Sequence, residues 1–311
     1  MSTGPRWRPP WRNTPPARGG SAASPRRLRR DKRPRASMAS ASKANWSDLA
    51  VRLASAIVMA GLALLTNWLG GLAFALFWLL ASLAVLAEWL ALVTPGETDR
   101  LAIGVGAAVL AGSAWLAYAG GGVAAILSLL AGAAALWARA AACRRRHPGL
   151  IAAALPYAGA VVLPAVLLRH DGEFGMRAIL VLFAIVWGSD VMAYFTGRTL
   201  GGPKLCPRIS PKKTWSGFVG GVGFGGIAAG LVAQSFALGL LGAALAAISQ
   251  GGDLLESMLK RRFDAKDASH LIPGHGGVMD RLDGFVAAAL AALVIGWLHA
   301  GLHPARGFLM W

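Results

Sequence analysis

The chain has 311 residues, of which 56% are apolar and only 14% charged, where a soluble domain carries about 25% charged residues. Forty glycines and twelve tryptophans fit a bilayer protein, because glycine is common in membrane helices and tryptophan gathers at their interfaces. An ordinary soluble α/β enzyme is excluded, and two cysteines, Cys143 and Cys206, are too few for a disulfide framework or a cysteine zinc site.

In chain order, residues 1–46 read as a disordered basic tail. They hold twelve of the 31 Lys and Arg but one acid, Asp31, and too little apolar surface to offset the entropy of ordering. Such a tail is attracted to anionic lipid, or is simply an extension ahead of a start at Met38. Most of the +17 net charge sits there, so the remainder offers no basic groove for nucleic acid. From about Leu53 the chain breaks into apolar runs near the roughly 20 residues that span a bilayer: 53–70, 72–93, 101–119, 121–142, 150–168, 176–197, 216–234, 237–256 and 284–302. The expected fold is an all-α polytopic integral membrane protein of about nine transmembrane helices. It divides into N-terminal transmembrane helices (47–175), a C-terminal transmembrane catalytic region (176–302) and a short tail (303–311).

Fourteen Lys and Arg fall in the loops on one side of these spans and three, Arg169, Arg177 and Arg306, on the other. The positive-inside rule makes the richer side cytoplasmic. The two longest loops on that side, 198–215 and 257–283, are read as the functional ones.

Of thirteen acids beyond the tail, seven are Asp190, Asp253, Glu256, Asp264, Asp267, Asp280 and Asp283. An intramembrane carboxylate costs roughly 2.5–3.5 kcal/mol on insertion scales and usually marks function, which singles out Asp190 and Asp253. Asp253 and Glu256 are spaced i,i+3, as are Asp280 and Asp283, so each pair shares a helix face. Lys260, Arg261, Lys266 and Arg281 surround them, with Lys212 and Lys213 in the other loop. Acids that hold a hard cation, interleaved with bases that hold phosphates, are what metal-assisted phosphoryl or nucleotidyl transfer requires. The loop Pro273-Gly274-His275-Gly276-Gly277 adds backbone able to approach a phosphate closely.

Other features carry less. The formal GxGxxG at Gly221–Gly226 lies inside an apolar span with no preceding strand, so a dinucleotide turn is rejected. Gly217, Gly221 and Gly225 instead have the spacing that lets membrane helices pack closely. His270 and His275 lack cysteine partners for zinc, and a phosphate contact suits His275 better. Trp68, Trp78 and Trp89 are expected to be interface or lipid-facing anchors.

The string Ser257-x-Leu259-Lys260-Arg261, then Lys266-Asp267, then Pro273-Gly274-His275-Gly276-Gly277-x-x-Asp280-Arg281-x-Asp283 resembles the signature of the phosphatidate cytidylyltransferase (CDP-diacylglycerol synthase) family. Asp190-x-x-Ala193-Tyr194-x-x-Gly197, Ser210-Pro211-Lys212-Lys213-Thr214-Trp215 and Gly252-Asp253-Leu254 also look like motifs of that family. The likeness runs over about 49–302 and is weaker in the first four spans. One position departs: Ser216 stands where family members usually have Glu.

The resemblance implies transfer of CMP from CTP to phosphatidic acid, giving CDP-diacylglycerol and pyrophosphate for phospholipid biosynthesis. It implies an enzyme of the cell (inner) membrane with its active site facing the cytoplasm. Its partners would be CTP, phosphatidic acid and membrane lipids, with a homodimer left open and no nucleic acid. Mg²⁺, with a second cation left open, is expected on Asp253, Asp280 and Asp283. Catalytic candidates are Asp253, Lys260, Lys266, Asp267, Asp280, Arg281 and Asp283. Substrate-binding candidates are Asp190, Ser210, Lys212, Lys213, Ser257, Arg261, His275 and Gly276. A CTP-dependent lipid-alcohol kinase, a degenerate paralogue and a cation-coupled transporter are the alternatives. The metal reading carries its own expectation: Asp280→Asn and Asp283→Asn should leave folding almost unchanged and remove most turnover.

Overall fold

The structure, a computed structural model, describes residues 38–96, 99–269, 271–272 and 276–311, with side chains from Val51 onward apart from Arg52. Most of the 1–46 tail, and both His270 and His275, lie outside the described residues. Helix α1 (Met38–Leu69) takes in the last residues expected for the tail, and its apolar part is Leu53–Leu69. Then come α2 (Gly71–Val93), α3 (Arg100–Tyr118), α4 (Gly122–Ala142), α5 (Pro148–Arg169), α6 (Gly175–Thr199), α7 (Trp215–Ala233), α8 (Phe236–Arg262) and α9 (Met279–Ala300). Among the described residues these eight are long and apolar enough to cross a membrane, so with α1 the nine expected apolar segments are all helical.

Two elements depart from an all-α chain. Strands β1 (Lys204–Cys206) and β2 (Ser210–Thr214) form a small antiparallel hairpin with Lys204 opposite Thr214. A short helix α10 (Pro304–Leu309) folds onto α9 from the expected C-terminal tail. Helix α8 also runs on to Arg262, past the point where the apolar run ends. Its last turn carries Lys260, Arg261 and Arg262, cations that complement the negative end of the helix dipole. The expected 257–283 loop therefore shrinks to 263–278, which keeps Asp264 and Asp267, while Asp253, Glu256, Asp280 and Asp283 stand on helices.

Helix α5 is the hub. It is apolar on every side, as a fully surrounded helix must be, and packs against α2, α3, α4, α6 and α9. Ser82 of α2 donates to the Ala158 carbonyl at 2.6 Å and Trp89 Nε1 donates to the Leu150 carbonyl at 2.8 Å, fixing α2 on α5. Two of the three tryptophans expected as anchors are thus core residues: Trp78 is 2% exposed and stacks on Phe285 of α9 at 4.6 Å, and Trp89 stacks on Tyr157. Only helix–helix packing decides which face of an apolar helix is inside, and composition does not report it. Trp68 does face outward.

Asp99, in the connection just ahead of α3, makes a bidentate pair with Arg139 in the last turn of α4 at 2.7 and 2.9 Å, and also caps α3 through the Ala102 amide. The Arg139 guanidinium holds the Asp99 carboxyl below its ordinary range.

Helix α7 lies against α6 as closely as the glycine spacing requires. A Cβ on Gly217 would stand 2.8 Å from the Ala193 carbonyl, and one on Gly221 would stand 2.8 Å from the Ser189 carbonyl. The contact fixes the distance between Asp190 on α6 and the hairpin that leads into α7.

Candidate functional site

The hairpin ends where α7 begins. Thr214 Oγ1 accepts from the Gly217 amide at 3.1 Å, an N-cap of the ordinary kind, and Ser216 donates to the Gly201 carbonyl. That pair of contacts folds the hairpin back over α6 and α8. At the departing position Ser216 therefore closes the hairpin with a neutral hydroxyl.

Helix α8 meets α9 with equal closeness: a Cβ on Gly252 would lie 2.7 Å from the Asp283 carbonyl, and one on Gly284 would lie 2.5 Å from Ser249 Oγ. Glycines beside Asp253 and Asp283 are what allow those two carboxylates to share one space.

The space is a cavity of about 500 Å³ walled by α6, β2, α7, α8 and α9. Of the candidate residues, Asp190, Lys212, Lys213, Asp253, Asp280, Arg281 and Asp283 line it, together with Tyr194, Arg198 and Gln250, which were not candidates. Lys213 Nζ lies 2.5 Å from Asp253 Oδ2, and Ser257 donates to Asp253 Oδ1 at 3.2 Å. Lys260, behind the lining, contacts Asp280 Oδ1 at 2.5 Å and Glu256 Oε1 at 3.2 Å. Ser210 at the start of β2, the exposed Arg261, Lys266 and Asp267, and Gly276 do not line the cavity. Arg261 instead donates to the Ala265 carbonyl at 3.3 Å, closing the end of α8. His275 lies outside the described residues.

Asp280 is engaged on both oxygens. Besides Lys260, its Oδ2 accepts from the Ala268 amide at 2.9 Å and the Gly277 amide at 2.8 Å. The glycine pair of the loop is explained by this: Gly276 has φ +84°, and a Cβ there would meet Asp280 Oδ2 at 2.8 Å. On Gly277 a Cβ would meet the two oxygens of Glu88 at 2.7 and 2.8 Å. At Gly276 and Gly277, the described part of the loop expected to approach phosphate, the backbone lies against two carboxylates.

Sequence reasoning missed two acids. Glu88, in α2, is 5% exposed and accepts from Ser269 Oγ at 2.6 Å and from the Val278 and Met279 amides at 2.9 and 2.7 Å. Its signal was present, since it is a carboxylate within an apolar span, the same criterion that singled out Asp190 and Asp253. Glu256 was noted for its spacing but given no role. It is 1% exposed and lies 3.2 Å from Lys260 Nζ at the junction of α8 and α9. Buried carboxyls gathered at one place need a proton or a cation among them.

The donor set can be tested against a hard cation. Neither oxygen of Glu256 has a well-aligned hydrogen-bond partner although both are buried, and Asp253 and Asp283 face the cavity beside it. These are hard oxygen donors in a space also lined by Arg198, Lys212, Lys213 and Arg281. No three His, Cys, Asp or Glu among the described residues converge on a ready-made metal site. Mg²⁺ does not require one, because it is commonly held by one or two carboxylates plus substrate phosphates and water. The residues fit a cation that arrives with a nucleotide, and Asp253 and Asp283 fit it more directly than Asp280.

A second cavity of about 680 Å³ opens beside the first. Its walls are apolar, formed by α1 (Met59, Ala63), α2 (Trp78), α6 (Phe183, Trp187) and α9 (Phe285). Asp190 and Arg281 line both cavities.

Residues 50–299 match the cytidylyltransferase family. The chain is 43% identical to a phosphatidate cytidylyltransferase of Brucella abortus over 267 residues, covering 82% of this chain and 95% of that protein. A phosphatidate cytidylyltransferase of Haemophilus influenzae is 44% identical over 130 residues, 38% of this chain and 45% of the relative. One of Pseudomonas aeruginosa is 40% identical over 152 residues, 44% of this chain and 56% of the relative.

Proposed function

This chain belongs to the cytidylyltransferase family, and from that membership we propose that it transfers CMP from CTP to phosphatidic acid. A phosphate oxygen of the lipid bonds to the α-phosphorus of CTP, the bond from that phosphorus to the bridging oxygen breaks, and pyrophosphate leaves with the electron pair. The products are CDP-diacylglycerol and pyrophosphate. The attacking oxygen is already ionised at neutral pH, so the chemistry needs no dedicated general base. It needs two polyanions brought together and the leaving charge stabilised.

The observation that carries this reading is the sharing of Arg281 and Asp190 between a polar and an apolar cavity. A lipid phosphate belongs at such a junction, with its acyl chains in the space between α1, α2, α6 and α9. Lys212, Lys213 and Arg198, which line the polar cavity and not the apolar one, suit the triphosphate. Lys260, between the buried Glu256 and Asp280, offsets part of their charge and lessens the repulsion of both substrates by the cavity floor.

Mg²⁺, in this reading, would be held by Asp253 and Asp283, with Glu256 behind them and Asp280 available where Lys260 releases it. When bound it neutralises triphosphate charge and polarises the α-phosphate. The fourteen-to-three bias of Lys and Arg supports a cytoplasmic position for the hairpin and the 263–278 connection, in a protein that we propose for the inner membrane.

The test uses purified protein, vesicles that contain both phosphatidic acid and a long-chain lipid alcohol, and CTP labelled either in the cytosine ring or at the γ-phosphate. Label from the ring in the lipid supports the reading. Label from the γ-phosphate alone assigns a lipid kinase instead.

A further inference from the structure

Helix α9 begins with an unusual cap. Val278, at its N-cap, offers no side-chain acceptor, yet the first amides of a helix need one. The acceptor comes from α2: Glu88 takes the Val278 and Met279 amides, and Ser269 Oγ donates to the same carboxylate. Glu88 lines neither cavity, and among the described residues its carboxylate accepts from Ser269, Val278 and Met279. Asp280 follows one residue after Met279 and Asp283 one turn on, so the carboxylate that fixes the first turn of α9 also fixes where Asp280, Arg281 and Asp283 stand.

We infer that Glu88 is a positioning residue of the transfer reaction, holding Ser269 and the start of α9 in register with Asp253. It acts through the backbone, without touching substrate. A buried carboxylate that accepts from Ser269, Val278 and Met279 is costly wherever they are displaced, because it then loses those partners. The contact therefore favours the conformation in which the acids face the cavity. It also explains why the N-terminal helices, which bring little charge of their own to the cavity, are joined to the chemistry.

The inference rests on the proposed cytidylyl transfer for its kinetic readout, so the parent protein is assayed first. An inactive parent counts against the proposed function, and the nucleotide-binding measurement then carries the test of Glu88. Glu88→Gln keeps one acceptor oxygen and Glu88→Ala keeps none. Both are purified from membranes and compared at equal folded fraction. The expected result is a KM for CTP and a Mg²⁺ half-saturation raised about 10-fold or more in Glu88→Ala, with a smaller rise in Glu88→Gln. Binding of CTP with Mg²⁺, read by thermal shift, should weaken in the same order, and hydrogen exchange at Val278 and Met279 should quicken.

A role confined to stability gives a different pattern: activity falls with the folded fraction, while KM, Mg²⁺ half-saturation and CTP affinity of the folded protein stay at parent values. That pattern overturns the inference. Should Glu88→Ala fail to insert, Glu88→Gln and Ser269→Ala, which removes only the hydroxyl contact, carry the same readouts. Parent-like values in both of those also overturn it.

Discussion

Lys213 Nζ lies 2.5 Å from Asp253 Oδ2, joining β2 to α8 across the mouth of the cavity. The two side chains come from different sequence motifs and are partly open, at 24% and 35% exposure. An ion pair that open contributes little to stability, about 0–1 kcal/mol. Its value lies in placing a cation beside a carboxylate at the point where a nucleotide triphosphate would enter. Lys213→Met should therefore melt within a degree or two of the parent while losing about 100-fold in turnover, the scale expected for removing one charge-stabilising donor. Thermal melting in detergent and initial rates on the same preparation check this. A large fall in melting temperature would make Lys213 a structural strut instead.

Asp280 and Asp283 should separate under substitution, contrary to what their spacing alone implies. Asp280 accepts from Lys260 and two backbone amides. Asp280→Asn would turn an NH₂ towards at least one of those donors, costing about 1–3 kcal/mol for the unpaired groups. Asp283 makes one backbone contact, from the Gly284 amide to Oδ1 at 2.7 Å, which Asn can keep. Asp283→Asn should lose turnover at nearly unchanged stability, and Asp280→Asn should lose both. Equal melting temperatures for the two variants would count against the clamp assigned to Asp280.

What the sequence revealed and what it hid follow from the range of each interaction. Asp253, Asp280, Asp283 and the Lys212-Lys213 pair were legible because their meaning is local: a carboxylate in an apolar run, or two acids on one helix face. The helices were legible for the same reason, apart from the start of α1, the end of α8, the first turn of α9 and the short α10, where polar or short stretches read as loop or tail. Glu88 carried the same local signal, but its role was hidden because its partners Ser269 and Met279 are 181 and 191 positions away. Trp78 was misread because burial depends on which neighbours α2 finds. Gly276 and Gly277 were seen as permissive backbone, but the carboxylates they make room for could only be found in three dimensions.

Gly277→Ala tests that last point. A methyl group there would stand 2.7–2.8 Å from both Glu88 oxygens, closer than any real contact, and the carboxylate is already fixed by three hydrogen bonds. Either Glu88 or the loop must move. The expected outcome is a protein that inserts normally, melts lower by about 1–3 kcal/mol of stability and turns over poorly. Parent-like activity would mean that the loop has slack the contacts do not show.

The orientation has its own check. With fourteen Lys and Arg on one side and three on the other, a reporter inserted after Lys266 should read as cytoplasmic, and one after Arg306 as external. The opposite result at Lys266 would remove the side chains from their nucleotide.

The last prediction concerns how the cation arrives. Among the described residues no three acids form a ready metal site, Asp253 is paired with Lys213, and Asp280 is paired with Lys260. A cation binding alone would have to displace a lysine from a contact of 2.5 Å with no phosphate to receive that lysine. A cation arriving with CTP brings its own phosphate ligands and gives the displaced ammonium a new partner. Binding of the two should therefore be mutually dependent, each raising the affinity for the other by the same factor. In a thermal-shift titration Mg²⁺ without nucleotide should move the melting temperature little, CTP with chelator should also move it little, and the two together should raise it by several degrees, as a ligand at about 100 times its Kd does. The Mg²⁺ midpoint should fall as CTP is increased. Chelation should stop turnover without unfolding the protein. A full shift with Mg²⁺ alone, at a midpoint indifferent to CTP, would instead mean a resident metal on acids already free to hold it, and the lysine pairings at Asp253 and Asp280 would then have no part in binding.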